Sequence, residues 1–295
     1  MITAAMVKEL REVSGAGMMD CKKALTECDG DLTKSIDWLR EKGIAKAAKK
    51  AGRIAAEGLS TYAVKGNTAC ILEINSETDF VAKNEQFLEL MNNTVNALLD
   101  AKPDSVEKAL ELNIGGKTLN EILIDTTATI GEKITLRRFK IIEKTDNQLF
   151  GVYKHMGGRI TSVCVLENST SDTIAKDIAM QVASMNPTYI SRDHMPADIV
   201  EHERKIQKEI MNNDESFSNK TEAQLNGILE GRLSKSLQDM SLVDQVYFKD
   251  GKTKCLQVLK EANTSVVTFV RYEVGEGIEK RSENFADEVA KASQV

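Results

Sequence analysis

Apolar residues near the start of the chain recur at helical spacing in three short stretches. Thr3 is placed to cap the first helix, and the glycine turn SGAG at residues 14–17 ends it. Asp31, the last residue of the turn DGD, is placed to cap the third helix. The pattern predicts a three-helix unit over residues 1–45, and its small core is typical of a domain that binds a partner.

Alternating apolar and polar positions replace this spacing beyond residue 53. Two strand-like runs flank the turn KGN at residues 65–67, and an amphipathic helix follows within residues 84–99. A later strand is predicted at residues 133–143, and the same order of hairpin, helix and strand recurs over residues 150–274. The order predicts an α+β fold with a core of two related α/β subdomains, each an antiparallel sheet covered by helices on one face.

A long insertion with narrow apolar stripes interrupts the second half of the chain. The residues of its stripes are Ile199, Ile206 and Ile210, then Leu225, Leu229, Leu233 and Leu237. The stripes predict an inserted antiparallel coiled-coil hairpin over about residues 196–238. The segment SENFADEVAKA predicts one last C-terminal helix. We therefore expect four units, at residues 1–53, 54–144, 145–276 and 277–295.

The composition is that of an ordinary globular protein, with 28% charged and 41% hydrophobic residues. A net charge of −6 gives the whole molecule no electrostatic reason to bind nucleic acid directly. Five widely spaced cysteines without a Cys-x-x-Cys pair favour a reducing compartment over a disulfide framework or a zinc site. Neither a membrane-spanning run nor a signal peptide is apparent, so we expect a cytoplasmic protein without membrane contact.

Signatures of catalysis are scarce in this sequence. The phosphate loop, the Gly-x-Ser-x-Gly elbow and the His-Glu-x-x-His motif are all missing. The three histidines, His155, His194 and His202, are too isolated for a metal cluster. His155 lies at the tip of a hairpin, where it is either a turn residue or a probe of a partner surface. The residues therefore favour an interaction protein over an enzyme.

The segment SETDFVAKN, at residues 76–84, has two interpretations. In the first, Thr78 or Asp79 is the N-cap of the following helix and Phe80 is its hydrophobic staple. In the second, Phe80 is a wedge that acts on another molecule. Spacing alone favours the cap and the staple.

Two segments of the N-terminal unit have similar alternatives. Met18 and Met19 form either part of the core or a flexible partner surface. The basic strip AKAAKKAGR, at residues 45–53, is either a solvated helical linker or a phosphate-binding strip. No aromatic residues interleave with its charges, so the linker is favoured.

Longer motifs add to this interpretation. LREVSGAGMMDCKKAL at residues 10–25 and ETDFVAKNEQF at residues 77–87 resemble the two signature segments of the bacterial elongation factor Ts family. AAKKAGRIAAEGL at residues 47–59 and FVRYEVGEGIEK at residues 269–280 resemble it as well. The resemblance follows the whole chain in order and at the expected length.

The resemblance implies a guanine-nucleotide exchange factor for the GTPase elongation factor Tu, with no cofactor and no chemical active site of its own. It also implies that residues 1–53 form a ubiquitin-associated-like domain and linker, followed by the N- and C-subdomains of the core, the coiled coil and a C-terminal module. Self-association through the core or the coiled coil is left open.

The resemblance further implies roles for particular residues. A segment that disturbs the partner's magnesium site corresponds to Thr78, Asp79, Phe80 and Val81. A histidine that presses on the partner's phosphate side corresponds to His155, although KHMGGR carries one residue more than the commoner pattern. The contact segment of the first domain corresponds to Leu10, Arg11, Met18 and Met19.

Overall fold

The computed structural model describes residues 2–279, in which helices cover two three-stranded antiparallel sheets. The N-terminal unit contains α1 (Ala4–Ser14), α2 (Met18–Glu27) and α3 (Leu32–Lys50). Thr3 and Asp31 cap α1 and α3 through their side chains, as predicted. The predicted C-terminal helix lies outside the described residues.

The first sheet has the strand order β1-β2-β5. Its elements, with the helices that accompany them, are β1 (Glu57–Lys65), β2 (Thr68–Ser76), α4 (Glu85–Ala101), α5 (Val106–Leu110), β3 (Asn113–Ile114), β4 (Lys117–Thr118), α6 (Leu119–Ile130) and β5 (Thr135–Glu143). The hairpin, the helix and the later strand lie where the sequence predicts them. The small β3–β4 hairpin was not predicted.

The second sheet has the order β6-β7-β8 and repeats this arrangement. Its elements are β6 (Gln148–His155), β7 (Ile160–Glu167), α7 (Asp172–Met185), α8 (Ala197–Asn212), α9 (Glu222–Met240), α10 (Cys255–Glu261) and β8 (Ser265–Glu273). In both sheets the middle strand of the order pairs antiparallel with its two neighbours.

The two sheets pack against each other through the faces that their helices leave uncovered. On β2, Cys70 and Leu72 face the core beneath α4, whereas Ala69 and Ile71 belong to a separate cluster shared with the second sheet. Side chains alternate between the two faces of a strand, so β2 is apolar at consecutive positions because both of its faces are buried.

The central strand β7 of the second sheet has the same double burial. Cys164 and Leu166 face α7, while Val163 and Val165 contribute to the cluster between the sheets. The order of layers is therefore helix, sheet, sheet, helix. The sequence predicted the helical cover of one face but not the contact between the sheets.

Glu73 is a charged residue at this mainly apolar junction, and its side chain has no exposed surface. Its carboxylate pairs with Arg137 at 3.0 Å and with Arg138 at 2.6 Å, and it accepts the backbone N–H of Gly275 at 2.9 Å. Burial by itself would raise the pKa of this carboxyl, but the Gly275 N–H and the two guanidinium groups outweigh it and lower the pKa.

Helices α8 and α9 form the predicted antiparallel hairpin, but the seam of α8 differs from the predicted stripe. Ile210 is 44% exposed, and the neighbouring Met211 is buried instead. Glu203 accepts a hydrogen bond from Ser236 of α9 at 2.7 Å, and Arg232 donates to Gln207 at 3.2 Å. Polar residues thus share the seam on α8, and Ile210 lies outside it, whereas Leu233 and Leu237 of α9 are buried as predicted.

We expect Glu73→Gln to lower the free energy of unfolding by about 2 kcal/mol at neutral pH, because the variant loses charge-assisted hydrogen bonds at a buried site. The native carboxyl has a lowered pKa, so its contribution is complete above the ordinary value of 4.5 and is lost as the pH falls through the lowered value. Denaturant unfolding at a series of pH values should therefore show the difference between the two proteins shrinking upon acidification.

The exposed pair between Lys65 and Asp100 provides a control, with side chains 72% and 61% exposed. Asp100→Asn should change the stability by less than about 0.5 kcal/mol. An equal loss in the two variants would contradict a special role for Glu73.

Candidate functional site

The 76–80 loop, defined as residues 76–80, joins the end of β2 to a 3-10 turn at Val81–Lys83 that precedes α4. Asn84 caps α4, because its side chain accepts the backbone N–H groups of Gln86 at 2.9 Å and Phe87 at 3.3 Å. The prediction that Thr78 or Asp79 is the N-cap is therefore wrong. The loop is free of that capping role.

Phe80 projects from this loop, with 79% of its surface exposed. Its neighbour Val81 is 5% exposed and packs in the core beneath the first sheet. The staple interpretation of Phe80 is therefore wrong, since the apolar anchor of the turn is Val81. Asp79 is exposed beside Phe80, so an acidic and an aromatic side chain are presented together.

Glu132, between α6 and β5, restrains the 76–80 loop through hydrogen bonds. Its carboxylate accepts the backbone N–H groups of Glu77 at 3.1 Å and Thr78 at 2.9 Å, and the hydroxyl of Thr78 at 2.6 Å. Ser76 Oγ donates to the carbonyl of Thr78 at 2.9 Å. Thr78 is thus bound by its own protein, while Asp79 and Phe80 point outwards.

A second carboxylate ties the same loop to the N-terminal unit. Glu77 accepts the backbone N–H of Lys133 at 2.6 Å and pairs with Arg53 at 3.1 Å. Glu77 and Glu132 could not be found from the sequence, because their partners lie more than 20 residues away in the chain. The pattern of neighbouring residues in the sequence does not indicate such long-range hydrogen bonds.

His155 ends β6 and precedes a turn at residues 156–158, where Met156 is 69% exposed. The imidazole is half-buried, and its Nδ1 lies 3.3 Å from the hydroxyl of Tyr153. Gly158 has a φ of +111°, and a Cβ at this position would lie 2.8 Å from the carbonyl oxygen of Ser60 on β1. The turn is therefore pressed closely against the first sheet.

Strand β1 contacts both the 76–80 loop and the turn that follows His155. Ser76, at the start of the 76–80 loop, pairs in register with Glu57. Glu57 also forms an ion pair of 2.6 Å with Arg159, directly after the turn that follows His155. Ser60 Oγ donates to Gly158 at 2.9 Å. Both segments are thus fixed to the first half of one strand.

The predicted docking residues of the N-terminal unit divide into two groups. Leu10 has no exposed surface, so it holds the helices together rather than forming a contact surface. Met18 and Met19 at the start of α2 are 59% and 75% exposed, and Val13 near the end of α1 is 62% exposed. We call these three residues the N-terminal apolar patch, and the exposed Arg11 lies on the same helix as Val13.

The basic strip at residues 45–53 is helical as far as Lys50 and is used within the protein. Lys46 pairs with Asp20 at 3.0 Å, Lys50 donates to the carbonyl of Gly131, and Arg53 pairs with Glu77. These contacts attach α3 to α2 and to the end of α6. Most of the strip is exposed to solvent, as the linker interpretation predicts, and these three contacts attach it to the rest of the protein.

Within residues 2–279, no cluster of three or more His, Cys, Asp or Glu side chains is arranged to hold a metal ion. In the same part of the chain, no helix combines the length and the apolar character that a membrane span requires.

Comparisons with known proteins show which family the chain is similar to. The family described as Elongation factor TS matches residues 77–276, from the 76–80 loop to the end of the second sheet. Elongation factor Ts of Acholeplasma laidlawii (strain PG-8A) is 54% identical over 289 residues, covering 98% of this chain and 97% of that protein. Elongation factor Ts of Oenococcus oeni (strain ATCC BAA-331 / PSU-1) is 51% identical over 290 residues, covering 98% of each.

These matches place the protein among the elongation factors of protein biosynthesis. Within that class, the chain belongs to the elongation factor Ts family.

The different burial of Phe80 and Val81 predicts effects of different size on stability for these two neighbours. Phe80→Ala should change the free energy of unfolding by less than about 0.5 kcal/mol, because the ring is exposed. Val81→Ala should lower it by about 2 kcal/mol, because a buried side chain is truncated. Chemical denaturation of the two variants measures both values. A larger loss for Phe80→Ala would indicate that the ring packs as a staple.

Proposed function

We propose that this protein is a guanine-nucleotide exchange factor that binds the GDP complex of elongation factor Tu and promotes the release of GDP, so that GTP can bind. The observation that carries the proposal is Phe80, which is 79% exposed on a loop that Glu132 holds in place. An exposed aromatic ring on a restrained backbone is suited to inserting into a partner without first being ordered.

The proposed mechanism starts at the partner's magnesium site. Phe80 enters between structural elements of the GTPase beside the nucleotide, and the exposed carboxylate of Asp79 engages polar groups there. A bound Mg²⁺ neutralises the phosphates of the nucleotide and ties them to the GTPase. When the ion is displaced, phosphate charge is poorly compensated, and GDP dissociates. Thr78 and Val81 support this action from within the protein.

His155 is the proposed contact to the phosphate side of the partner. It is held at the end of β6, and the turn after it is pressed against β1. The 76–80 loop also starts beside β1. Because both segments are attached to the same strand, the distance between them is fixed. Both can therefore contact the partner in a single docking event.

The exchange reaction changes no covalent bond, so we propose no enzymatic chemistry, no cofactor and no metal site for this protein. If the protein weakens nucleotide binding, nucleotide weakens the binding of the protein by the same factor. It therefore binds the nucleotide-free GTPase best and accelerates exchange without changing the relative affinities of GDP and GTP.

We propose that the N-terminal apolar patch, with Arg11, docks on the partner, and that Leu10 supports it from below. Exposed methionines provide flexible apolar contacts, which suit a recognition surface.

In this proposal residues 1–53 are a ubiquitin-associated-like domain with its linker. The two subdomains are residues 54–144 and 145–276, and the C-terminal module is residues 277–295. The protein acts in the cytoplasm, without direct contact to nucleic acid or membrane.

The first test is the release of fluorescent GDP from the cognate elongation factor Tu. The protein should accelerate release, and Phe80→Ala should slow the accelerated rate at saturation by at least about tenfold, because the wedge is removed. Phe80→Leu, which retains part of the volume, should be intermediate. Leu256→Ala, which truncates a side chain 38% exposed on α10, is the control and should match the parent protein.

Binding of the partner without accelerated release would show that the protein is a non-catalytic binding or chaperone partner of the GTPase. Equal rates for Phe80→Ala and the parent protein would show that another element drives the exchange.

The N-terminal apolar patch should affect affinity rather than the exchange step. We expect the double variant Met18→Ala/Met19→Ala to raise the concentration for half-maximal exchange by about tenfold, with little change in the saturated rate. Met185→Ala removes another exposed methionine, 47% exposed at the end of α7, and should change neither value. An unaltered half-maximal concentration in the double variant would exclude the patch from docking.

A further inference from the structure

We infer that Glu132 is a positioning residue for nucleotide exchange, acting through the 76–80 loop on Phe80. The inference rests on the proposed function, and it assigns a role to a side chain outside the TDFV segment. Glu132 follows Gly131, whose φ of +88° ends α6, and precedes β5. The carboxylate is therefore held at the junction of two regular elements of the first half.

The geometry of the carboxylate fixes two consecutive peptide groups. Glu132 Oε2 accepts both backbone N–H groups, from Glu77 at 3.1 Å and from Thr78 at 2.9 Å. Glu132 Oε1 accepts the hydroxyl of Thr78 at 2.6 Å, which fixes the side chain of that residue as well. Hydrogen bonds to an ionised acceptor are stronger than neutral ones, so this carboxylate restrains the backbone firmly.

Phe80 depends on such a restraint because its own ring is mostly exposed and has little packing to hold it. It lies between two anchors, Thr78 on one side and the buried Val81 on the other. Without Glu132, the backbone N–H groups of Glu77 and Thr78 lose their acceptor, and only the Ser76 hydroxyl remains bonded to Thr78. A displacement of about 1 Å in a positioned group is enough to reduce a rate strongly.

The bonds between the two segments are reciprocal. Glu132 accepts from the backbone of residues 77 and 78, while Glu77 accepts the backbone N–H of Lys133 at 2.6 Å. The backbone of Ile134 is held in turn by Thr127 Oγ1 at 3.1 Å. The loop is therefore fastened to the end of α6 and the start of β5, which are themselves ordered.

Two measurements separate positioning from general stabilisation. The first compares the saturated rate of fluorescent-GDP release from elongation factor Tu for the full-length parent protein and for Glu132→Ala, Glu132→Gln and Asp250→Ala. Asp250 is a matched control, since its carboxylate accepts two backbone N–H groups of a surface loop at 2.9 and 3.0 Å. Each rate is taken per folded molecule, as judged by circular dichroism.

We expect Glu132→Ala to lower the saturated rate about tenfold, while the partner concentration for half-maximal exchange changes little. Glu132→Gln keeps one acceptor oxygen and should retain an intermediate rate, and Asp250→Ala should match the parent protein. Hydrogen exchange should accelerate at the amides of Glu77 and Thr78 in Glu132→Ala but not in Asp250→Ala.

The second measurement is a double-mutant cycle with Phe80→Ala. If Glu132 acts through Phe80, Glu132→Ala should have little further effect on the rate once the ring is absent. Equal losses with and without the ring would overturn the inference, as would a rate for Glu132→Ala equal to that of Asp250→Ala. If the parent protein itself does not accelerate GDP release, the proposed function is wrong, and the positioning role falls with it.

Discussion

The contact between the two sheets is the constraint on which the rest of the structure depends. Each sheet has only three strands, and its central strand is buried on both faces because a helix covers one face and the other sheet covers the second. Sheets of three strands are near the lower limit for independent stability, and separating the two sheets would expose the apolar face between them. Their union also fixes the segments that start at the strand ends, including the 76–80 loop and the turn after His155.

Local signals in the sequence predicted most of the elements but not how they meet. Turn residues and capping side chains revealed the hairpins and helices, since both depend on neighbouring residues. The runs of apolar residues on β2 could not indicate which face met the second sheet. The same limit applies to Phe80 at the site. Asn84 caps α4 and Val81 is buried in place of Phe80, so the ring of Phe80 is exposed. Spacing alone could not distinguish this arrangement from a hydrophobic staple.

The segment TDFV contains two residues that contact the rest of the protein and two that are exposed. Thr78 is bonded to Glu132 and Val81 is buried in the core, while the two residues between them are exposed. A surface built in this way presents its polar and aromatic groups with little conformational freedom left to lose on binding. The residues that create this order are dispersed in the sequence, so a motif defined by consecutive residues shows only part of the site.

The hydrogen bond from Gly275 to Glu73 joins residues that are 202 positions apart in the chain. It can therefore form only after most of the second half has been synthesised. During synthesis, the first sheet, with Arg137 and Arg138, leaves the ribosome long before Gly275, which donates a further hydrogen bond to the buried carboxylate. A Cβ at Gly275 would also lie 2.1 Å from the carbonyl oxygen of Ala56, so the last residues of the core close directly on the residue before its first strand. Contacts of such high sequence separation slow folding. Until translation of the second half is nearly finished, the nascent first half therefore carries an uncovered apolar face, and the carboxylate of Glu73 lacks one of its hydrogen bonds.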